Sequence, residues 1–237
     1  MRAAGHAISL IDGECLADGI AKIKPSLDAG TEAVYRGWML TPIEYEHLIG
    51  SVEMLGGRPF TTKEQYLSTH YLPHWYEKLS DLTPETVVLP VDADMPQALA
   101  ALGWTRFFVK DFVKSLKTSI GSIIERPEDI HHLVAEMEMY RGQIEGGLCI
   151  RQVEDFIAAT EQRYFIVNGK PFSSDVEQPI PNIVFECGDR IRGRFFSVDV
   201  VTRSDGQLRV VEIGDGQVSD LVGWPVGRFV AIWQDMI

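Results

Sequence analysis

The stretch that most restricts the fold of this chain is a predicted β-hairpin, SVDVVTRSDGQLRVVEIGDGQ, from Ser197 to Gln217. Two runs rich in β-branched residues flank Asp205 and Gly206, and Asp-Gly in such a setting is among the strongest short-range hairpin signals. If these two residues form the centre of the turn, Ser204 pairs with Gln207. The sequence therefore predicts two antiparallel strands joined by a two-residue turn.

This hairpin brings two carboxylates together. In the predicted register Asp199 faces Glu212, with their Cβ atoms about 5 Å apart, and like charges in this position destabilise a sheet. A divalent cation would relieve the repulsion, and Mg²⁺ is favoured because it prefers oxygen ligands. Asp215 follows shortly after and is a candidate third ligand. The alternative is a solvated sheet end where the repulsion is screened, but the apolar neighbours Val201 and Val210 on the same face favour a cleft.

Composition limits the partners and the compartment. The chain has 237 residues with a net charge of -12, which disfavours nucleic acid or an anionic membrane as the main partner. No apolar run approaches the ~20 residues that cross a bilayer, and Asp12 and Glu14 precede any signal-peptide core. We therefore expect a soluble cytoplasmic protein of unknown oligomeric state. The three cysteines lack Cys-x-x-Cys spacing, which predicts reduced, buried thiols rather than disulfides or zinc: Cys15, Cys149 and Cys187.

The order of predicted elements indicates an α+β protein. Thr41-Pro42-Ile43-Glu44 matches a helix capping box with proline at the first helical position. Further helices are predicted at 62–69, after Pro73, at 96–102 and at 127–140, and strands within AVYRGWML, TVVLP, TRFFVK, GLCIRQV and RYFIVNGKPF. Thr83-Pro84 is predicted to mark the boundary between two regions of the chain. We expect a small α/β N-terminal lobe over residues 1–85, followed by a second region over residues 86–237.

A second group of candidate residues follows the strand RFFVK. Lys110 ends this strand, and Lys114, Lys117 and a loop rich in serine, threonine and glycine follow closely. A lysine beside backbone amides and hydroxyls can bind phosphate, although the spacing is not that of a P-loop. The alternative is a cluster of solvated surface lysines.

Arginines recur beside the predicted strands, and their forked guanidinium groups suit phosphate and carboxylate oxygens. They are Arg151, Arg163, Arg190, Arg192 and Arg194. The alternative is surface ion pairing, which contributes little energy. We apply that alternative first to Arg190, because Gly188-Asp189 predicts a turn just before it.

Taken in order along the chain, these pieces resemble an ATP-grasp protein. The chain is similar in particular to the clade of that superfamily named for two arginines and a lysine. The stretches that carry the resemblance are YRGWMLTPIEYEHL, KDFVKS and VVEIGDGQVSDL, which extend from about Val34 to Leu221.

The resemblance implies a two-lobe fold in which mostly antiparallel sheets clasp ATP. It implies that Lys110 binds phosphate and that Lys114 and Ser115 begin the flexible loop over the phosphates. The hinge segment bordering adenine would be Arg151, Gln152 and Val153.

The remaining implied positions concern the triphosphate and its metal. The resemblance places Arg163 and Arg194 near the triphosphate or the substrate carboxylate, and makes Asp199 and Glu212 ligands of Mg²⁺. One departure concerns the Glu-x-Asn pattern of many ATP-grasp enzymes, because Gly214 stands in the asparagine position. Asp215 or Gln217 would then be a shifted substitute.

The implied activity is a Mg²⁺- and ATP-dependent ligase that activates a carboxylate as an acylphosphate for attack by an amine. Its substrates would be small molecules or peptides. Three alternatives stay open: an ATP-binding module without turnover, an ATP-dependent phosphotransferase, and a structural domain whose acidic hairpin binds nothing.

Overall fold

The computed structural model describes residues 5–113, 122–142 and 144–234, and these contain eight α-helices and twelve β-strands. The helices are α1 Glu14–Ala17, α2 Pro42–Met54, α3 Lys63–His70, α4 Leu72–Leu79, α5 Met95–Ala101, α6 Ile130–Arg141, α7 Asn182–Arg190 and α8 Val226–Gln234. The strands are β1 Leu10–Asp12, β2 Lys22–Lys24, β3 Glu32–Ala33, β4 Arg58–Pro59, β5 Thr86–Leu89, β6 Phe107–Asp111, β7 Ile123–Ile124, β8 Leu148–Gln152, β9 Phe156–Val167, β10 Lys170–Phe172, β11 Phe195–Arg203 and β12 Leu208–Asp215. A short 3₁₀ helix, Pro127–Asp129, precedes α6.

Local sequence signals explain where several elements begin and turn. The capping box of α2 is present, because the Thr41 hydroxyl accepts from the Glu44 N–H while the Glu44 carboxylate accepts from the Thr41 N–H. Asn168 and Gly169 both have positive φ, at 49° and 78°, between β9 and β10. This is the turn that an Asn-Gly pair favours between antiparallel strands.

The strands form two four-stranded sheets and two two-stranded sheets. The strand orders are β5-β8-β6-β7 and β10-β9-β11-β12, with β1-β2 antiparallel and β3-β4 parallel. In the first of these sheets β8 pairs antiparallel with both β5 and β6, and Lys110 lies opposite Cys149. The mixture of helices and antiparallel sheets is an α+β architecture, as predicted.

The chain divides into two compact units that are discontinuous in sequence. One comprises Met1–Thr69, Gln162–Val198 and Ile213–Ile237, and the other comprises His70–Glu161 and Asp199–Glu212. We call them unit 1 and unit 2. The boundary between a lobe over residues 1–85 and a region over residues 86–237 stays a prediction.

Each unit has its own hydrophobic core. In unit 2, helices α5 and α6 contribute Leu99 and Leu133 to a cluster that includes Phe107 and Ile150 from the sheet. Unit 1 has an aromatic cluster around Phe165 and Phe195, and a second cluster in which α2 contributes Tyr45 and Leu48. These cores hold fixed the strands that carry the candidate residues.

The turn between β11 and β12 differs from the predicted two-residue turn. The Gly206 N–H donates to the Arg203 carbonyl, and the Arg203 N–H donates to the Gln207 carbonyl. Three residues therefore lie between the paired Arg203 and Gln207, and the last of them, Gly206, has a φ of 88°. This is a type I turn followed by a left-handed glycine, the common three-residue hairpin loop.

One extra residue in β12 compensates for the longer turn. At the far end of the hairpin the Gly216 N–H donates to the Phe195 carbonyl. From residue 195 to 203 is eight positions and from 207 to 216 is nine, so β12 contains a β-bulge. Beyond the bulge the strands follow the predicted register, in which Asp199 and Glu212 are opposite each other.

Other sequence-based expectations require correction. Gly188-Asp189 is not a turn, because both residues lie within α7. Of the stretch AVYRGWML only its first residue, Ala33, lies in a strand, where it ends β3. Helix α8 had not been predicted, and Cys15 is only partly buried, unlike Cys149 and Cys187.

None of the helices within the described part of the chain has the length and apolar character needed to cross a membrane.

Candidate functional site

The central contact of the candidate site joins Lys110 and Glu212. The Lys110 Nζ atom lies 2.9 Å from Glu212 Oε1, although the residues are 102 positions apart in sequence. The lysine side chain is 6% exposed, whereas that of Glu212 is 44% exposed. Both residues belong to unit 2. The structure thus places the predicted phosphate-binding lysine beside a predicted metal-binding carboxylate.

Asp199, the second hairpin carboxylate, lies in β11 and is 4% exposed. Its neighbours Val198, Val200 and Val201 are buried as well. A carboxylate with so little exposure loses hydration, so its charge requires compensation by hydrogen bonds or a cation. This burial disfavours the alternative of a solvated, frayed sheet end.

Arg151 is buried beneath β12 and does not extend outward like a surface arginine. Its Nη1 atom donates to the Val211 carbonyl at 2.6 Å, and its Nη2 atom donates to the Thr83 hydroxyl at 2.6 Å. The guanidinium also lies 5.9 Å from the ring centroid of Trp75. Burial lowers the pKa of Arg151 to about 10, and the carboxylate of Glu212 partly opposes this shift.

The segment before β5 forms further bonds to the same part of β12. The Val210 N–H donates to the Leu82 carbonyl at 2.9 Å, and the Thr83 hydroxyl donates to the Val210 carbonyl at 2.7 Å. Val210 and Val211 thus both direct their carbonyl groups away from β11. Backbone groups alternate in a regular strand, so these bonds locate the bulge at these two residues.

Arg209 completes this set of contacts. It donates to the backbone carbonyls of Asp81 and Thr83 and forms a two-pronged pair with Glu154, with bonds of 2.8 and 2.9 Å. Bidentate arginine–carboxylate pairs hold a specific geometry. The sequence had marked Thr83 only as part of a boundary with Pro84 and had not singled out Arg209, because the partners of both residues lie far along the chain.

The rest of the predicted hinge segment lies at the end of β8. The Gln152 N–H donates to the Glu85 carbonyl at 2.8 Å, and the Val153 N–H donates to the Arg106 carbonyl at 3.4 Å. Both side chains are partly exposed. Their role beside adenine stays a prediction.

The two predicted catalytic arginines lie in unit 1. Arg163 donates from Nη1 to the Asp220 carbonyl at 2.8 Å. Arg194 donates to Asn168, Glu32 and the Phe60 carbonyl, and its guanidinium lies 3.8 Å from the ring centroid of Phe60. These contacts hold Arg194 within its own unit, and the contact of either arginine with a substrate stays a prediction.

Asp215 lies at the centre of a buried hydrogen-bond network in unit 1. Its carboxylate accepts from the Thr69 hydroxyl at 3.2 Å and from the backbone N–H and side-chain amide of Gln217 at 3.0 and 3.2 Å. The Gln217 amide also donates to the Tyr45 hydroxyl at 2.8 Å. Burial raises the pKa of Asp215 to about 7 despite these donors. The contacts are those of a carboxylate that braces a loop.

The local packing explains why glycine stands at position 214. A Cβ atom there would lie 2.9 Å from the Ser219 Oγ and 3.0 Å from the Ser197 Oγ. These two hydroxyls are 2.8 Å apart and bonded to each other. An asparagine at position 214 would displace both, so the shift away from Glu-x-Asn is built into the packing of the loop.

Three predicted residues, Lys114, Ser115 and Lys117, lie outside the described residues. Among residues 5–113, 122–142 and 144–234, no group of three or more His, Cys, Asp or Glu side chains is arranged to hold a metal ion. A metal ion held by one or two carboxylates together with substrate phosphates needs no such group.

Comparison with known families and structures gives a consistent result. Residues 101–234 match the family described as ATP-grasp domain, R2K clade family 3. A comparison with curated proteins found no match.

Several solved structures share the fold. The D-cycloserine synthetase DcsG superposes with a TM-score of 0.64 at 14% identity, with 99% of this chain and 91% of that chain covered. The D-alanine–D-alanine ligase from Coxiella burnetii superposes with a TM-score of 0.58 at 14% identity, covering 87% of this chain and 69% of that chain. The ATP-grasp ligase PsnB, solved with its minimal precursor, gives a TM-score of 0.50 at 12% identity, and this chain spans 62% of its length while 77% of this chain is covered.

Proposed function

Because the chain belongs to the ATP-grasp domain family R2K clade family 3, we propose that it is a Mg²⁺-dependent ligase that uses ATP to join a carboxylate to an amine. The observation that carries this proposal is the 2.9 Å contact between the buried Lys110 ammonium and Glu212. The fold similarity to DcsG and to the Coxiella burnetii ligase supports it.

Lys110 has the properties of a phosphate-binding group. Its stem is buried and its charged end is held at one position by Glu212, so little side-chain entropy is lost when an anion binds. A triphosphate would bring several negative oxygens to this ammonium. Lys110 would then stabilise charge that develops on the transferring phosphoryl group.

Asp199 and Glu212 fit a magnesium ion. Both supply carboxylate oxygens, which are the ligands that Mg²⁺ prefers, and both belong to unit 2. When bound, the ion would neutralise charge on the phosphates that it contacts. Asp215 was predicted as a third ligand, but its carboxylate already accepts three hydrogen bonds, and we assign it to bracing the loop.

The proposed reaction balances without a protein nucleophile. A substrate carboxylate oxygen attacks the γ-phosphorus of ATP, ADP leaves, and an acylphosphate forms. The amine then attacks the acyl carbon, inorganic phosphate leaves, and the amine loses a proton. The fold relatives include a D-alanine–D-alanine ligase, whose name gives a small molecule, and the macrocyclase MdnC, which was solved with a precursor peptide. We propose a carboxylate and an amine from these two classes as substrates.

A second candidate is an ATP-binding module without turnover. The observation that favours it is the Ser197–Ser219 pair, which fills the space where the asparagine of Glu-x-Asn would lie. This candidate predicts Mg²⁺-dependent ATP binding and no release of ADP with any acceptor.

The first test is thermal melting with ATP, with Mg²⁺ and with both. Ligand at about 100 times its Kd should stabilise the protein by about 2.7 kcal/mol. We expect a shift that requires both additions in the wild type and that is lost in Lys110→Ala and in Asp199→Asn. Lys170→Ala is the matched lysine control, because Lys170 lies in β10 of unit 1 and stacks on Phe172.

Product analysis then separates the activities. A ligase releases inorganic phosphate only with a carboxylate and an amine present, a phosphotransferase leaves the phosphate on its acceptor, and a binding module yields no ADP. A wild type whose melting does not respond to ATP with Mg²⁺ would contradict every ATP-dependent function for this chain.

A further inference from the structure

We propose that Thr83, Arg151 and Arg209, here called the bulge clamp, act as positioning residues that hold the β12 bulge so that Glu212 faces Lys110. This inference rests on the proposed function, because it concerns the carboxylate that would bind Mg²⁺. None of the three residues is proposed to touch the metal ion or ATP.

The bulge decides which face of the sheet carries Glu212. Side chains of a strand alternate between the two faces, so a shift of one residue moves each of them to the opposite face. The turn pairs Arg203 with Gln207. Continued without interruption, that register would place Val211 opposite Asp199 and turn Glu212 to the other face. The extra residue at Val210–Val211 restores the arrangement of two adjacent carboxylates.

Residues of the bulge clamp donate hydrogen bonds to backbone carbonyls of β12 that, at the bulge, have no partner on β11. The Thr83 hydroxyl donates to the Val210 carbonyl, and Arg151 donates to the Val211 carbonyl and to the Thr83 hydroxyl. Buried carbonyl groups without partners would cost free energy. These bonds therefore stabilise the bulged conformation relative to a regular strand.

The choice of a buried arginine for this task has an energetic cost. Moving a guanidinium out of water is unfavourable unless its donors are used, and apolar residues would fill the same space without that penalty. Arg151 directs one donor to the Val211 carbonyl of the bulge and a second to the Thr83 hydroxyl, and it lies near the Glu212 charge. If residue 151 served only to fill space beside β12, an apolar side chain would be sufficient and a cation would not be required.

Arg209, the third residue of the bulge clamp, holds the segment that carries Thr83. It joins β12 to the carbonyl groups of Asp81 and Thr83, and Glu154 holds its guanidinium in a two-pronged pair. Arg209 and Glu154 are almost completely buried, with side-chain exposures of 10% and 12%. The segment that carries Thr83 is thereby held against the bulge at two successive residues of β12.

The test compares three threonine variants. Thr83→Val removes the hydroxyl while keeping the shape, and Thr83→Ser keeps the hydroxyl. Thr86→Val is the matched control, because the Thr86 hydroxyl is also buried in unit 2 and donates to the Pro84 carbonyl, not to β12. ATP binding is measured by calorimetry over a range of Mg²⁺ concentrations, and amide hydrogen exchange is measured over residues 208–213.

We expect Thr83→Val to raise the Mg²⁺ concentration for half-maximal ATP binding about tenfold or more, the usual effect of losing a group that orients a metal ligand. Its affinity for ATP without Mg²⁺ should change less than twofold, and exchange at residues 208–213 should accelerate. Thr83→Ser should restore both properties, and Thr86→Val should leave the Mg²⁺ requirement at the wild-type value. If Thr83→Val does not fold, Arg209→Lys gives the same comparison with the charge retained, and Arg209 lies outside the segment predicted to border adenine.

Two results would overturn the proposal. Unchanged exchange and an unchanged Mg²⁺ requirement in Thr83→Val would show that the clamp does not hold the bulge. Faster exchange with an unchanged Mg²⁺ requirement would limit the clamp to stability. A wild type that binds no ATP contradicts the proposed function itself, and is distinguished from these outcomes because it appears before any substitution is made.

Discussion

At the scale of single residues, burial changes the pKa of the Asp215 carboxyl. Lys110 and Glu212 pair at 2.9 Å, whereas Asp215 lies in unit 1 with hydroxyl and amide donors and no exposed surface. Hydrogen bonds stabilise a carboxylate anion, but desolvation favours the neutral acid. For Asp215 desolvation is the larger effect, and its pKa rises to about 7.

This shift predicts a pH dependence of stability. The folded state binds the Asp215 proton more tightly than the unfolded state, where the pKa is about 3.8. The contribution of this group to the free energy of unfolding should therefore fall as the pH rises from about 4 to about 7. We expect the stability of the wild type relative to Asp215→Asn to decrease over that range and to be constant above it, as measured by urea unfolding.

Asp205→Asn is the control for this measurement. The pKa of Asp205 is lowered to about 2, first by its bond to Arg203, so its contribution is complete above pH 4 and is lost as the pH falls through about 2. The stability difference between wild type and Asp205→Asn should be flat from pH 5 to 8. A flat profile for Asp215→Asn as well would refute the raised pKa.

At the scale of elements, the β11–β12 hairpin shows how a turn and a bulge jointly determine strand register. The Asp-Gly signal correctly predicted the location of the hairpin, but the same dipeptide also fits a three-residue turn with glycine in the left-handed position. Gly206 has a φ of 88°, and Asp205 is not among the residues with positive φ. The bonds that hold the compensating bulge come from residues far away in sequence.

Substitution of Gly206 tests this turn. Gly206→Ala should lose about 1–2 kcal/mol of stability, because a left-handed conformation is costly for an L-residue with a Cβ atom, and Gly206→Asn should lose less. Gly50→Ala is the control with the opposite sign, because Gly50 lies within α2 and a Cβ atom there would meet nothing within 4 Å. That variant should gain about 0.5–1 kcal/mol. Equal stabilities of Gly206→Ala and the wild type in urea would contradict the observed turn.

At the scale of the whole molecule, the two units are interleaved along the chain. Strands β9, β11 and β12 each contribute residues to both units. In each of these strands the backbone continues without interruption from one unit into the other, so unfolding of one unit would fray the strand residues of the other. We therefore expect both units to unfold in one cooperative transition.

Cysteine labelling measures directly whether the two units unfold together. Cys149 lies in unit 2 and Cys187 in unit 1, both are fully buried, and burial raises the pKa of Cys149 to about 12. In a Cys15→Ser background, pulsed alkylation across a urea gradient should modify Cys149 and Cys187 with the same midpoint. Two separate midpoints would show that the units unfold independently.

Much of the chain could be predicted from sequence, because the signals involved are local. Helix α2 begins at a capping box whose partners are three residues apart, and the β9–β10 turn follows from Asn168-Gly169. The order of a strand-end lysine, arginine-bearing strands and an acidic hairpin was sufficient to indicate the ATP-grasp family. Helix α7 was missed because Gly188 and Asp189 are turn residues in most settings, whereas here the helix buries Ile183, Val184 and Cys187.

The sequence by itself thus determined the α+β class, most element positions and the pair of hairpin carboxylates, because each depends on residues within a few positions of one another. Only the tertiary structure decided the bulge in β12, the bonds that Thr83 and Arg151 make to it, and the contact between Lys110 and Glu212. The partners of these bonds are 60 to 127 residues apart. Hydrogen bonds over such separations leave no periodic pattern in the sequence, so they became visible only once the folded chain had brought the partners together.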